Sequence, residues 1–236
     1  MMNQPATNAK DGVNAFFGQV YMKVALGLAI STVVSFVLSK FAPQIPVMIY
    51  SSTVAFIVLW LIEIGIVFAL SRRAYSGNPQ STMMWYIIYS AINGITLTAS
   101  FAIVNNTTAI WQAFLTTAVM FVAMSAYGHL TKRDLSSWSN LLMGFLIGLI
   151  VTMLINLFLH SGVLVFFTCL VSVVLFAAYM AYDTQMIKQI YYSAQGADTG
   201  TLAGLATFSA LQLYMDLISM FINLLQLFGF FDNDNN

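Results

Sequence analysis

The stretch AGLATFSALQLYMDLISMFINLLQLFGF, residues 203–230, decides how the chain is read. At 1.5 Å per residue it is long enough to cross the roughly 30 Å hydrocarbon core of a bilayer, yet Asp216 stands in its middle. Its polar residues are ordered. Ser209, Gln212, Asp216, Ser219, Asn223 and Gln226 follow one another at spacings of 3, 4, 3, 4 and 3, which at 100° per residue confines all six to an arc of about 100°. The opposite side is Leu, Ile, Phe and Met. A helix with such a seam must turn it toward protein or water, so residues 203–230 are expected to pack inside a bundle. Hydrogen bonding between helices accounts for the serines and amides. It does not account for a carboxylate, which costs about 2.5–3.5 kcal/mol at the bilayer centre on insertion scales.

The rest of the chain supplies that bundle. Of 236 residues, 60% are hydrophobic and 7% charged, against about 25% charged in soluble domains, so lipid must be much of the solvent. Apolar runs recur at 20–38, 47–70, 83–104, 110–130, 141–159, 163–182 and 203–230. None alternates with period two, which predicts seven membrane helices rather than a barrel. The connections are too short for a second domain, so residues 1–236 are expected to form one polytopic unit with a polar segment, 1–19, in front. That segment lacks a cleavage-site pattern, and the first run is too long for a signal-peptide core.

Charge gives an orientation and excludes partners. Lys10, Lys23, Arg72, Arg73, Lys132, Arg133 and Lys188 fall on one side of the seven-span arrangement and only Lys40 on the other. Basic residues flanking spans are retained in the cytoplasm, so the N-terminus is expected in the cytoplasm, the C-terminus outside, and the protein in the cell membrane. Eight basic and eight acidic residues cancel, leaving no patch for nucleic acid. Cys169, the single cysteine, has no partner within the chain for a disulfide.

Three acids lie in or at the edge of spans: Glu63, Asp183 and Asp216. Asp183 closes the sixth run in FAAYMAYDTQMIKQIYY, where apolar residues resume after the acid and predict that the helix runs on toward Lys188. Two carboxyls that meet in a low-dielectric interior cannot both ionise cheaply and share a proton. Deprotonated, they suit a hard cation such as calcium, a transient metal site at most. Arg72 and Arg73 are the nearest countercharges and candidate latch residues; ordinary interfacial anchoring is the plainer reading of at least one. Tyr182 and Tyr214 each stand close to an acid and could donate to it. Glu63, Ser209, Gln212, Ser219, Asn223 and Gln226 are candidates for an ion path.

SAYGHLTKRDLSSWSNLLMGFLIGLIV (125–151), AAYMAYDTQMIKQI (177–190) and LQLYMDLISMFINLLQLFG (211–229), with YSAINGITLTASF (89–101), resemble in order and spacing the transmembrane Bax inhibitor motif family. The resemblance implies an all-α membrane fold of seven helices, six surrounding a central C-terminal one. It also implies a pH-dependent calcium leak with a di-aspartyl sensor at Asp183 and Asp216, a latch arginine at Arg72 or Arg73, and a membrane acid matching Glu63. No cofactor is expected beyond calcium as the permeant ion, and the expected surroundings are the lipid bilayer.

Rival chemistries are weighed against the same residues. An intramembrane aspartyl protease also pairs acids on adjacent helices, but its Gly-x-Gly-Asp motif is absent from LYMD, so a non-enzyme is expected. A serine protease would need HSG (160–162) in the membrane rather than in a predicted outer loop, and a retinal protein would need a lysine in 203–230. A proton-coupled transporter stays open, as does a non-conducting regulator of a membrane protease or death-related partner. His129 and His160 read as interface residues, and Gly144 with Gly148 as a step for close helix contact.

Overall fold

A computed structural model describes residues 6–233, with burial resolved for 11–231 except 47, 50 and 56. It is all helix among these residues: α1 (Ala6–Phe41), α2 (Gln44–Ser51), α3 (Thr53–Ala74), α4 (Pro79–Val104), α5 (Thr107–Leu130), α6 (Ser139–Leu159), α7 (Gly162–Ser193) and α8 (Thr199–Asn233), with a 3-10 turn at Ser136–Trp138. Seven are long and apolar enough to cross a membrane. In lipid every backbone group must be satisfied within the segment, and a helix does so.

The connections work as paired caps. Asn105 ends α4 in the left-handed region at φ 45° and Asn106 accepts from the Ala109 amide to start α5. His160 ends α6 at φ 49° and Ser161 accepts from the Leu164 amide to start α7. The serine of HSG is therefore a helix cap. Asn78 and Pro79 open α4 in the same way. Asp198 precedes α8 and accepts from the Thr201 hydroxyl and amide, contacts that hold its carboxyl below the usual carboxylate range.

Several boundaries differ from expectation. The segment predicted as 1–19 is helical from Ala6 onward, while residues 1–5 and 234–236, with the termini whose sides were predicted, lie outside the described residues. The predicted span 47–70 is divided: Ser52 is extended at φ −104° and caps α3, so the membrane helix begins at Thr53. Hydroxyls in the run Ser51, Ser52, Thr53 compete for the backbone and favour a cap over continuation. Both α7, at 32 residues, and α8, at 35, outrun the predicted spans. The apolar signal ends at the bilayer edge, but hydrogen bonding carries the helices past it.

Of the apolar stretch of α8, 56% is buried, against 12% in α3 and 11% in α6. α8 packs against α1, α3, α4, α5 and α7, whereas α6 packs chiefly against α7. The main core gathers Leu211, Tyr214, Ile218, Phe221 and Leu225 of α8 with residues from α3, α4, α5 and α7. A second core joins Phe16, Val20 and Val24 of α1 to Leu205, Ala206 and Leu213.

Close helix contacts use glycines other than the predicted pair. Nothing approaches Gly144 or Gly148, which line an open groove between α6 and α7. At Gly128 a Cβ would run into the Ala181 carbonyl, so α5 meets α7 backbone to backbone. Gly128→Val is expected to lower the thermal unfolding temperature in detergent, by an overpacking cost of about 1–3 kcal/mol. Gly144→Ala should leave it unchanged, and unfolding followed by intrinsic fluorescence compares the two.

Candidate functional site

The site forms where α7 passes α8. Asp183 comes from the last third of α7 and Asp216 from the middle of α8, and both are buried, at 6% and 5% relative exposure. Their carboxyls lie within hydrogen-bond reach of one another. The Asp216 Oδ2 atom is buried and has no hydrogen-bond partner in the protein. Two bare carboxylate charges in such contact would repel, in a medium that screens them poorly.

The α7 residues that follow Asp183 tie its turn of the helix to neighbouring elements. The Thr184 hydroxyl donates to Met180 O at 2.7 Å and lies 3.4 Å from Ser125 of α5. Gln185 makes two contacts with the loop joining α5 to α6: its Nε2 donates to Arg133 O at 2.8 Å, and its Oε1 accepts from the Leu135 amide at 2.7 Å. Leu135 is fully buried. The loop is thus tied to the turn of α7 that carries Asp183.

The tyrosines take places the spacing does not predict. Tyr214 turns away from the acids: its hydroxyl lies 2.6 Å from Ser31 Oγ, and its ring meets Tyr86 and Tyr89 edge-on. Tyr182 packs against Tyr179 in the small core with α6. Tyr179 is the tyrosine within electrostatic range of both carboxyls. At i−4 from Asp183 it shares that face of α7, a spacing by which the sequence could have found it.

The arginines do not reach the pair. Arg73 lies with its guanidinium 5.1 Å from the Trp85 ring centroid and donates to Ala69 O at 3.4 Å, while Arg72 is exposed. Both line a concavity of about 580 Å³ with Gly65, Phe68 and Ala69. Glu63 also stands apart, on α3, where its Oε1 accepts at long range from Thr96 Oγ1 (3.4 Å) and Asn93 Nδ2 (3.5 Å) of α4.

Along the seam of α8, Ser209 and Asn223 are buried, and Gln212, Ser219 and Gln226 are half-buried. Gln226 Oε1 accepts from Cys169 Sγ of α7 at 3.3 Å, and Asn223 Nδ2 donates to Ser219 O at 2.7 Å. Lys23 holds the N-terminal part of α8: its Nζ donates to Ala203 O (2.9 Å) and Thr207 Oγ1 (2.7 Å). His129 packs edge-on against Phe17 at 4.7 Å.

A sequence model of the family described as "Inhibitor of apoptosis-promoting Bax1" matches residues 13–233. The chain belongs to that family. It is similar to an uncharacterized membrane protein of Streptococcus pyogenes serotype M1, 38% identical over 94% of this chain and 96% of the relative. It is also similar to the inner membrane protein YbhL of Escherichia coli K12, 34% identical over 92% of each chain, and to YrjE of Lactococcus lactis, 37% identical over 93% and 92%. The family resemblance read from the motifs is thereby established, and the chain is a multi-pass membrane protein.

Gln185→Ala removes both ties to the 131–138 loop and strands a buried amide, at a cost of about 1–3 kcal/mol. The Leu135 amide is expected to exchange its hydrogen about tenfold faster or more, measured by hydrogen exchange and mass spectrometry on the full chain.

Proposed function

We propose that this Bax inhibitor-like protein is a pH-sensitive cation leak, with calcium as the permeant ion and the Asp183–Asp216 pair as its proton sensor. The observation that carries this reading is the contact of two buried carboxyls from adjacent helices. A merely structural role would be met by one acid and a neutral donor, whereas two acids face to face make the packing of α7 on α8 depend on a proton. With the proton present, the pair is a hydrogen bond that draws the helices together. Without it, two negative charges repel and need a cation between them.

The seam of α8 supports a path for that cation. Carboxylate, amide and hydroxyl oxygens are the ligands a hard ion takes as it sheds water. Arg73 supports a latch only in a second state, since its partners in this one are Trp85 and Ala69. On this reading calcium is cargo, the protein acts without a cofactor and without catalysing a reaction, and its place is the cell membrane with the N-terminus in the cytoplasm. A proton-coupled exchanger is the second reading, favoured by Glu63, a further membrane acid on α3 apart from the pair.

Calcium efflux from proteoliposomes tests the proposal across about pH 5 to 8, a range wide enough to catch a change of state of two interacting carboxyls. Asp183→Asn and Asp216→Asn each remove one titrating group, and the pH dependence of efflux is expected to flatten in both. Wild-type pH dependence retained in both variants would exclude the pair as sensor. Efflux that requires an opposing proton gradient would replace the leak with exchange.

A further inference from the structure

The α7 side of the interface carries a polar stripe of its own. Counting back from Asp183 at 100° per residue, Ser172 lies within about 20° and Cys169 within about 40° of the same direction on α7. The antiparallel register is fixed at both ends, by Asp183 on Asp216 and by Cys169 on Gln226. Between those anchors, Ser172 falls opposite the α8 turn from Asn223 to Leu227. By this register the turn of Ser172 lies level with the amide-bearing turn of α8, in the half of the interface that leads away from the acid pair toward the outer end of α7.

Ser172 behaves unlike its neighbours. Within a membrane helix a serine or threonine satisfies its hydroxyl on the carbonyl four residues earlier, and Thr168 and Thr184 of the same helix do so at 2.7 Å, as do Ser90 and Thr98 of α4 at 2.9 and 2.7 Å. Ser172 is wholly buried, and its Oγ has no protein partner. Thr117 of α5 is 3% exposed and equally without one; its stripe-mates Ala109 and Ala113 belong to the core cluster that contains Leu224 and Leu225 of α8. An unpaired hydroxyl in an apolar interior carries the full desolvation cost of the group. Rotating onto its own backbone would relieve Ser172, so a hydroxyl left unpaired there points to something that meets it. Asn223 donates its amide nitrogen to Ser219 O.

We propose that the outer half of the α7–α8 interface is a hydrated track, with Ser172 as the α7 wall facing Asn223 and Gln226, and that it carries water and hard cations. Phe176 and Tyr179, whose rings stand 6.3 Å apart on the same side of α7, form the narrow stretch between this track and the acid pair. The inference rests on the leak reading for its purpose but not for its test. Water access can be read without any ion flux.

The test uses the full chain in lipid nanodiscs, open to reagent from both faces. Cys169 is the one native cysteine, so Cys169→Ser gives a background in which Ser172→Cys reports on its own position. The control is Val174→Cys in that background, on the lipid face of α7 at 67% exposure. A permanently cationic methanethiosulfonate reagent requires a thiolate and an aqueous approach, so Ser172→Cys is expected to react at least about tenfold faster than the control, scored by intact mass. Reaction no faster than at Val174→Cys throughout about pH 6 to 8, where a carboxyl pair would change state, overturns the track. Native Cys169, on the same stripe, gives a second reading without substitution at Ser172: it should react in the wild type, and failure there too would overturn the track. A protein that reacts at Ser172→Cys but passes no calcium would end the leak reading and keep the hydrated track. Efflux with normal pH dependence and an inert Ser172→Cys would do the reverse.

Discussion

Lipid offers no hydrogen bonds, and that single constraint organises the bundle. A helix bearing Ser209, Gln212, Asp216, Ser219, Asn223 and Gln226 on one side cannot face hydrocarbon without leaving its carboxyl and side-chain amide groups short of partners. α8 therefore becomes the most buried span, and α1, α3, α4, α5 and α7 arrange themselves around what it must hide. The apolar outer faces of α3 and α6, where about a tenth of residues are buried, are the complement. They meet lipid and carry no such burden.

The polar groups inside divide by how completely they are answered. Ser31, Tyr86, Tyr214 and Lys23 form tight contacts near 2.6–2.9 Å that bind α1 to α4 and α8. Such a fully paired network holds one packing. The α7–α8 interface is less completely answered: Asp216 Oδ2, Ser172 and Ser209 are buried without protein partners. A bundle rigid on its α1–α4 side and under-satisfied along α7–α8 concentrates its capacity for change where the acids are. Movement of α7 would also carry the 131–138 loop, because Gln185 holds that loop two residues from Asp183.

Family membership, seven spans and the helical class were legible in the sequence because each depends on local chemistry: run length, composition and motif spacing. Asp183 and Asp216 were legible as anomalies, being costly wherever they are placed. Glu63 stood out for the same reason, yet the fold sets it on α3 against Asn93 and Thr96, apart from the pair. Of the two roles open to Tyr182 and Tyr214, donation to an acid or packing at a helix contact, the fold takes the second. Tyr214 is two residues from Asp216, and 200° of helical rotation sends it toward Ser31 instead. Gly144 and Gly148 were misjudged, since a small-residue step permits close packing but does not choose the face on which a neighbour arrives.

The sequence by itself determined that the chain lives in a membrane, how many times it can cross, and that α8 must be shielded, because transfer of polar groups into hydrocarbon is costly whatever the fold. The tertiary structure decided which helices do the shielding. It set the register that puts Asp183 against Asp216 rather than against an arginine, and it left the Ser172 hydroxyl buried without a protein partner. Those outcomes depend on rotation and depth between helices, and hydropathy contains neither. A shift of one residue turns a side chain by 100°, which is the difference between a partner and a stranger.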